Sequence, residues 1–327
     1  MTKHLSNSSR VLLGIDIGGT TVKFGALDES GCVLASSAFP TSDLAQRARQ
    51  QAFARAVAQS LAPRIDPVCV AAIGCAVPGA VDDQGRVGMI PNASIDVDGL
   101  IEELANVFPA AHIAPLNDAN AAALGEQWIG AGAGVTDVLM VTLGTGIGAG
   151  IIQGNRICTG AHGCAGEIGH LSVERGGRAC SCGGTGCLEQ YASARGIVLT
   201  MLEESGSAFL PDHDADAFSV FEEFIRGSAA AHRSIDRFCD ALAFGLASAA
   251  CAIDPHLILI GGGVSESFDL FSEKLRRDFK RYAIPPCKNT PIEKARLGND
   301  AGFMGAARFA WMHLLRSTDP TREDVSP

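Results

Sequence analysis

Between Gly166 and Glu189 the sequence reads GEIGHLSVERGGRACSCGGTGCLE. Cys180, Cys182 and Cys187 stand close together, with His170 a short way upstream. Three thiolates and an imidazole complete a tetrahedral ligand set for Zn²⁺. Gly183, Gly184 and Gly186 let the backbone curl so that the sulfurs converge. With every position filled by protein, such a site is structural and not hydrolytic. The alternative is three free thiols in a loop, but scattered cysteines seldom cluster with so many glycines. A metal on one ring nitrogen of His170 fixes the tautomer and aims the other nitrogen. Its expected target is a substrate hydroxyl, with Glu167 and Glu189 accepting hydrogen bonds beside it. Taken alone, these two carboxylates read more readily as solvated surface groups.

A second chemistry is written in the glycine turns. Asp16-Ile17-Gly18-Gly19-Thr20-Thr21 and Leu143-Gly144-Thr145-Gly146-Ile147 each offer backbone N–H groups and a hydroxyl to phosphate oxygens. Neither is a P-loop, because the lysine-serine ending is missing. Neither is a dinucleotide fingerprint, because a strand follows and not a helix. An ordinary tight hairpin explains either one alone. Two in matching places favour a two-sided phosphate clamp. Asp16 at the mouth of the first is placed to hold Mg²⁺ directly or through water, or else merely steadies the turn. Asp118, in Asn117-Asp118-Ala119-Asn120, is the candidate base: a carboxylate near an alcohol takes its proton as the oxygen attacks phosphorus. It also fits a helix N-cap, and both readings hold if Asn117 or Asn120 shares the capping. Gly261-Gly262-Gly263 either packs a strand closely on a helix or lets a purine and ribose lie on the backbone.

The elements that must position these groups follow from periodicity. Apolar runs predict strands at Val11–Ile17, Val22–Leu27, Cys32–Ala38, Val68–Cys75 and Ala111–Pro115. Helices are expected over Asp43–Leu61 and Gly99–Val107, and from Asn117 to about Gly130. The strand-turn-strand then repeats at Asp137–Leu143 and Ile147–Gln153, a weak internal duplication. Helices at Phe218–Arg226, Ala229–Ile253, Phe268–Tyr282 and Ala301–Arg316, with strands at His256–Ile260 and Ile292–Leu297, complete an α/β fold. Residues 1–116 with the C-terminal helix 301–327 are expected to form a small α/β domain. Residues 117–300 form a large α/β domain with the zinc knuckle.

The chain has 327 residues, 47% hydrophobic and 19% charged, with a net charge of −10. That charge disfavours broad contact with nucleic acid or an anionic membrane. The opening MTKHLSNSSR is polar, no apolar run reaches bilayer length, and the 11 cysteines are odd in number. A cytoplasmic protein with reduced thiols is expected.

Taken together, the motifs resemble the ROK family of repressors and sugar kinases over nearly the whole chain, with bacterial glucokinases the most similar members. The carriers are Asp16-Ile17-Gly18-Gly19-Thr20, Asn117-Asp118-Ala119-Asn120, Leu143 to Gly148, Gly166 to His170 and Cys180 to Glu189. The resemblance implies an actin-like ATPase (ribonuclease H-like) fold, two lobes with a central cleft that closes on sugar. It implies Asp118 as catalytic base and Gly79, Asn92, Asn117, Asp118, Glu167, His170 and Glu189 around a hexose. It places ATP and Mg²⁺ on Asp16, Gly18, Gly19, Thr20, Lys23, Gly144, Thr145, Gly146, Gly262 and Gly263, and structural Zn²⁺ on His170, Cys180, Cys182 and Cys187. The implied reaction is γ-phosphoryl transfer from ATP to the 6-hydroxyl of glucose, in a homodimer or homotetramer. Pro91-Asn92 is followed by Ala93-Ser94-Ile95-Asp96, without the Trp many glucokinases carry there. Kinases for N-acetylmannosamine, N-acetylglucosamine, mannose or fructose therefore stay open. So does a sugar-responsive regulator lacking its DNA-binding domain, although ten residues before Val11 are too few for a helix-turn-helix domain.

Overall fold

The computed structural model describes residues 10–44, 46–82, 84–88, 95–206 and 216–318. Its elements run β1 (Val11–Ile17), β2 (Thr21–Leu27), β3 (Val33–Pro40), α1 (Arg47–Leu61), β4 (Val70–Val77), α2 (Val97–Val107), β5 (His112–Asn117) and α3 (Asp118–Ile129). There follow β6 (Val138–Leu143), β7 (Ile147–Gln153), β8 (Arg156–Ile157), α4 (Glu189–Ala192), α5 (Ala194–Ser205), α6 (Ala217–Ile225) and α7 (Ala229–Ile253). The chain ends with β9 (Leu257–Gly261), α8 (Phe268–Tyr282), β10 (Ile292–Lys294) and α9 (Ala301–Thr318).

Two five-stranded sheets result, in the orders β3-β2-β1-β4-β5 and β10-β9-β6-β7-β8. Read from the other edge, the second is β8-β7-β6-β9-β10, the same plan as the first: three successive strands, then two later ones. The faint repeat of the glycine hairpins is thus a repeat of topology. In the first sheet β1 is antiparallel to β2 and parallel to β4, and β4 is parallel to β5. In the second β6 is parallel to β9, and β9 to β10. The chain separates into two compact units, Met1–Gly134 with Gly150–Ala165 and Asn299–Pro327, and Val135–Ala149 with Gly166–Gly298. The expected large domain began at residue 117; here α3 and residues 150–165 group with the N-terminal unit.

In the first unit, Val11, Leu13, Ile15 and Phe24 are buried in one cluster with Phe53 and Val57 of α1 and with Leu100 and Leu104 of α2. Glycines decide how α9 packs on the strands. A Cβ on Gly14 of β1 would lie 1.7 Å from Phe303 O, and one on Gly74 of β4 1.8 Å from Ala306 O. A Cβ on Gly305 would lie 1.7 Å from Ala121 O, so α3 and α9 also touch backbone to backbone. No residue with a side chain fits such contacts.

Some boundaries differ from expectation. The helix expected from Asp43 begins at Arg47, after a 3₁₀ turn at Thr41–Leu44. Thr41 is drawn away because its Oγ1 donates to Gly18 O at 2.6 Å and its N–H to Thr20 O at 3.0 Å. The last strand stops at Lys294, three residues short of Leu297. Helix α5 was not expected; Ser193 caps it by accepting the Gly196 N–H at 3.0 Å.

Candidate active site

Parallel pairing sets the geometry of the candidate residues in the first unit. Asp16 pairs with Ala76, Ala76 with Leu116, and Val77 with Asn117. The C-terminal ends of β1, β4 and β5 therefore deliver Asp16, Gly79 and Asn117-Asp118 to one edge, where open α/β sheets bind ligands. Asn117 is the N-cap of α3: its Oδ1 accepts the Asn120 N–H at 3.0 Å. Its Nδ2 donates to Gly79 O at 3.1 Å, tying the β4 loop to the helix start. Asp118 is the first helical residue, exposed, with Oδ1 accepting the Ala119 N–H at 2.8 Å. The helix dipole favours its carboxylate.

Asp16 is half-buried, and burial raises its pKa to about 6, with the neighbouring Asp118 charge adding to the rise and Lys23 opposing it. Lys23 faces Asp16 across the hairpin and donates Nζ to Asn299 O at 3.3 Å. A Cβ on Gly302 of α9 would lie 2.4 Å from Asp16 Oδ2, so that glycine gives the carboxylate its space. Two close carboxylates, one strained toward protonation, are the donor set that a hard divalent cation relieves; Mg²⁺ fits Asp16. The first turn closes through the Gly18 N–H to Thr21 O at 3.0 Å, with Gly19 and Thr20 exposed beyond it. Asn92 lies outside the described residues.

The second unit holds the other groups. His170, Cys180, Cys182 and Cys187 each offer a ligand atom, all within 4.8 Å of one another. Cys180 Sγ is 3.7 Å from His170 Nδ1, and Cys182 Sγ is 3.6 Å from Cys187 Sγ. Tetrahedral zinc with ordinary bond lengths separates its ligands by about 3.6–3.8 Å. The sulfurs are too far apart for a disulfide. Burial opposes ionisation at Cys180, but the Cys182 backbone N–H and the neighbouring thiols and ring outweigh it and bring its pKa to about 6. Burial, with Cys182 and Cys180 beside it, pushes Cys187 up to about 12. Three sulfurs this close do not all ionise without a cation, which is what the donor set fits. The loop is shaped by Gly183 (φ +89) and by Gly186 (φ +72), where a Cβ would lie 1.7 Å from Glu174 O. The guanidinium groups of Arg178 and Arg237 both lie over the Tyr191 ring, 4.7 and 5.0 Å from its centre.

With Nδ1 of His170 on the sulfur side, its Nε2 is 3.8 Å from Glu167 Oε2, and both residues are exposed. Glu189 has a partner the sequence did not suggest: its Oε2 accepts the Ile147 N–H at 3.1 Å, at the second glycine turn. That turn closes through the Gly144 N–H to Gly146 O at 2.9 Å, leaving Thr145 exposed. Thr142 pairs with Gly261, so this turn and the glycine triplet end neighbouring parallel strands. Gly262 (φ +79) is required for packing, since a Cβ would lie 2.5 Å from Leu143 O. Gly263 has open space around its Cα. Sequence reasoning missed Thr41 and the Ile147 N–H. Neither carries a sequence signal, because both act through partners distant in the chain.

Two duplicated α/β units with glycine hairpins at their first strand pair define the actin-like ATPase fold. A ROK family profile matches residues 12–313, and the chain belongs to the ROK family. It is 35% identical to a glucokinase of Halalkalibacterium halodurans over 318 residues, 91% of this chain and 94% of the relative. A ROK family glucokinase from Streptomyces griseus, solved in complex with glucose and AMPPNP, superposes with a TM-score of 0.76 at 32% identity, covering 92% of this chain and 99% of that one. A ROK hexokinase from Thermus thermophilus gives 0.79 at 30% identity, covering 93% and 99%.

Proposed function

We propose that this protein is an ATP-dependent hexose kinase that transfers the γ-phosphoryl group to a sugar 6-hydroxyl, with glucose the preferred sugar. The observation that carries the reading is the division of labour at α3: Asn117 caps the helix, and the Asp118 carboxylate stands exposed beside Asp16. The relatives at about one-third identity over most of the chain carry it to a sugar kinase.

In this mechanism Asp118 accepts the 6-hydroxyl proton as the oxygen attacks the γ-phosphorus. The bond from that phosphorus to the β,γ-bridging oxygen breaks, and ADP departs with the electron pair. Gly18 and Gly144 close the two turns with their own N–H groups; the backbone N–H groups of Gly19 and Thr20, and of Thr145 and Gly146, hold the phosphate oxygens, with Lys23 nearby and Gly262 and Gly263 under the nucleoside. Asp16 would hold Mg²⁺, which when bound neutralises charge developing on the phosphates. Gly79, Asn92, Asn117, Glu167, His170 and Glu189 orient the sugar. Zn²⁺ on His170, Cys180, Cys182 and Cys187 would fix the tautomer and direction of His170 and do no chemistry.

The eleven cysteines are all free thiols, which supports a cytoplasmic location. Among the described residues no helix is long and apolar enough to cross a membrane. A homodimer or homotetramer is the assembly we expect, and light scattering measures it. The function is tested by coupled ADP release across hexoses and N-acetylhexosamines, with and without Mg²⁺. Magnesium-dependent release strongest with glucose supports the reading; no release with any sugar sinks it.

A further inference from the structure

Within the second unit, the metal knuckle and the second glycine turn are tied at three points. Glu189 Oε2 accepts the Ile147 N–H at 3.1 Å. The Ala194 N–H donates to Gly144 O at 2.8 Å. Gly169 packs directly on the residue that ends the turn, where a Cβ would lie 2.5 Å from Ile147 O. Two of these ties are carried by close sequence neighbours of metal ligands. Gly169 precedes His170, and Glu189 is separated from Cys187 only by Leu188. Leu188 is fully buried, and its N–H donates to Leu171 O at 2.8 Å. Little slack remains between the sulfurs and the turn.

Gly146 adds an independent mark of the same contact. A Cβ there would lie 2.4 Å from Glu189 Oε2. Its backbone is not among the positive-φ glycines, so the carboxylate and not the conformation excludes a side chain.

We propose that Glu189 is a positioning residue for the second phosphate turn, and that the metal knuckle, through Glu189 and Gly169, sets the affinity of that turn for nucleotide even when no sugar is bound. The proposal rests on the hexose kinase reading for the identity of the ligand. A carboxylate next to phosphates is electrostatically adverse, so its benefit here is geometric: it holds Ile147 and Gly146 where the turn's remaining N–H groups can meet an oxygen anion. One carboxylate oxygen is used on the turn, and in the hexose kinase reading the other meets a sugar hydroxyl. A single side chain thereby links the sugar side of the site to the nucleotide side.

The test titrates AMPPNP with Mg²⁺ into sugar-free protein, with bound metal measured on the same samples. Glu189→Ala is expected to keep its metal and to bind AMPPNP about tenfold more weakly, the effect of losing a charge-assisted hydrogen bond. Glu189→Gln keeps an acceptor oxygen and drops the charge, and it is expected to bind at least as tightly as the wild type. Gly146→Ala is expected to weaken binding, and the double substitution E189A/G146A to be no weaker than E189A alone, because the clash has gone. Cys182→Ser is expected to lose metal and AMPPNP affinity together. Wild-type affinity in Glu189→Ala, an equal loss in Glu189→Gln, or additive effects of E189A and G146A would each overturn the proposal. A wild-type chain that binds no AMPPNP would overturn the kinase reading, and this proposal with it. A chain that binds AMPPNP yet phosphorylates no sugar, with the Glu189 series behaving as expected, would sink the hexose kinase reading and leave the role of Glu189 at the nucleotide turn standing.

Discussion

Asn117 Oδ1 accepts the Asn120 N–H at 3.0 Å, so the helix that presents Asp118 is capped by the residue before it. An aspartate opening an Ala-rich helix is ordinarily spent on capping. Here the adjacent asparagine does that work and also reaches Gly79 O at 3.1 Å with its amide. Structural and chemical duties fall on neighbouring residues, which makes them separable by mutation.

Asp118→Asn is expected to lower turnover by about 10²–10⁴-fold, the usual contribution of a general base. Sugar affinity and melting temperature should stay close to wild type, because Asn keeps an Oδ1 for the Ala119 N–H and the N-cap is Asn117. Steady-state kinetics with a glucose binding isotherm checks this; near-normal turnover removes Asp118 from the mechanism.

Asn117→Ala is expected to lose stability where Asp118→Asn does not. Loss of the cap costs about 1 kcal/mol of stability, and the Gly79 loop loses its tether. Urea unfolding of this variant beside Asp118→Asn should show the larger midpoint shift for Asn117→Ala. Equal shifts would contradict the assigned cap.

Asp16 gives a pH dependence of known sign. Its folded pKa of about 6 exceeds its ordinary value of 3.8, so between these values the folded state binds more protons than the unfolded one. Its contribution to stability is most favourable below pH 3.8 and is lost as pH rises through about 6. Protons also compete with a cation at this carboxylate, so Mg²⁺ should bind more weakly as pH falls below about 6. Unfolding curves from about pH 4 to about pH 7 for wild type and Asp16→Asn isolate the effect: the substitution should flatten its share of the slope. An unchanged slope would show that Asp16 is not the titrating group.

Stripping the knuckle with a chelator leaves His170 without its metal anchor and three close sulfurs without a cation. Sugar affinity is expected to fall about 10–100-fold, on the scale seen when groups supporting a metal site are lost. Readdition of Zn²⁺ should restore it. Metal-free protein with unchanged glucose affinity would separate the knuckle from the sugar.

Much of this was legible in the order of the residues because it is local. The ligand types in the knuckle, the glycine hairpins, and helices Ala229–Ile253 and Phe268–Tyr282 all declare themselves within a few turns or a single loop. Ser193 before Gly196 was a readable cap that periodicity alone passed over, since α5 mixes polar and apolar residues on a short span. The repeat of topology was visible only as two similar hairpins, because strand order depends on pairing between distant segments.

The sequence by itself determined which chemistries were possible: thiolates for a soft metal, carboxylates for a proton and a hard cation, glycines for phosphate. Tertiary structure decided which way they face. Gly14 and Gly74 look like ordinary strand residues until α9 is laid against them. Thr41 becomes a brace for the first turn only when β2 and β3 pair. Glu189 turns to Ile147 only because β6 and β7 carry that N–H to the knuckle. Side-chain type is fixed by the gene one residue at a time, whereas direction and partner are set by contacts between segments far apart in the chain.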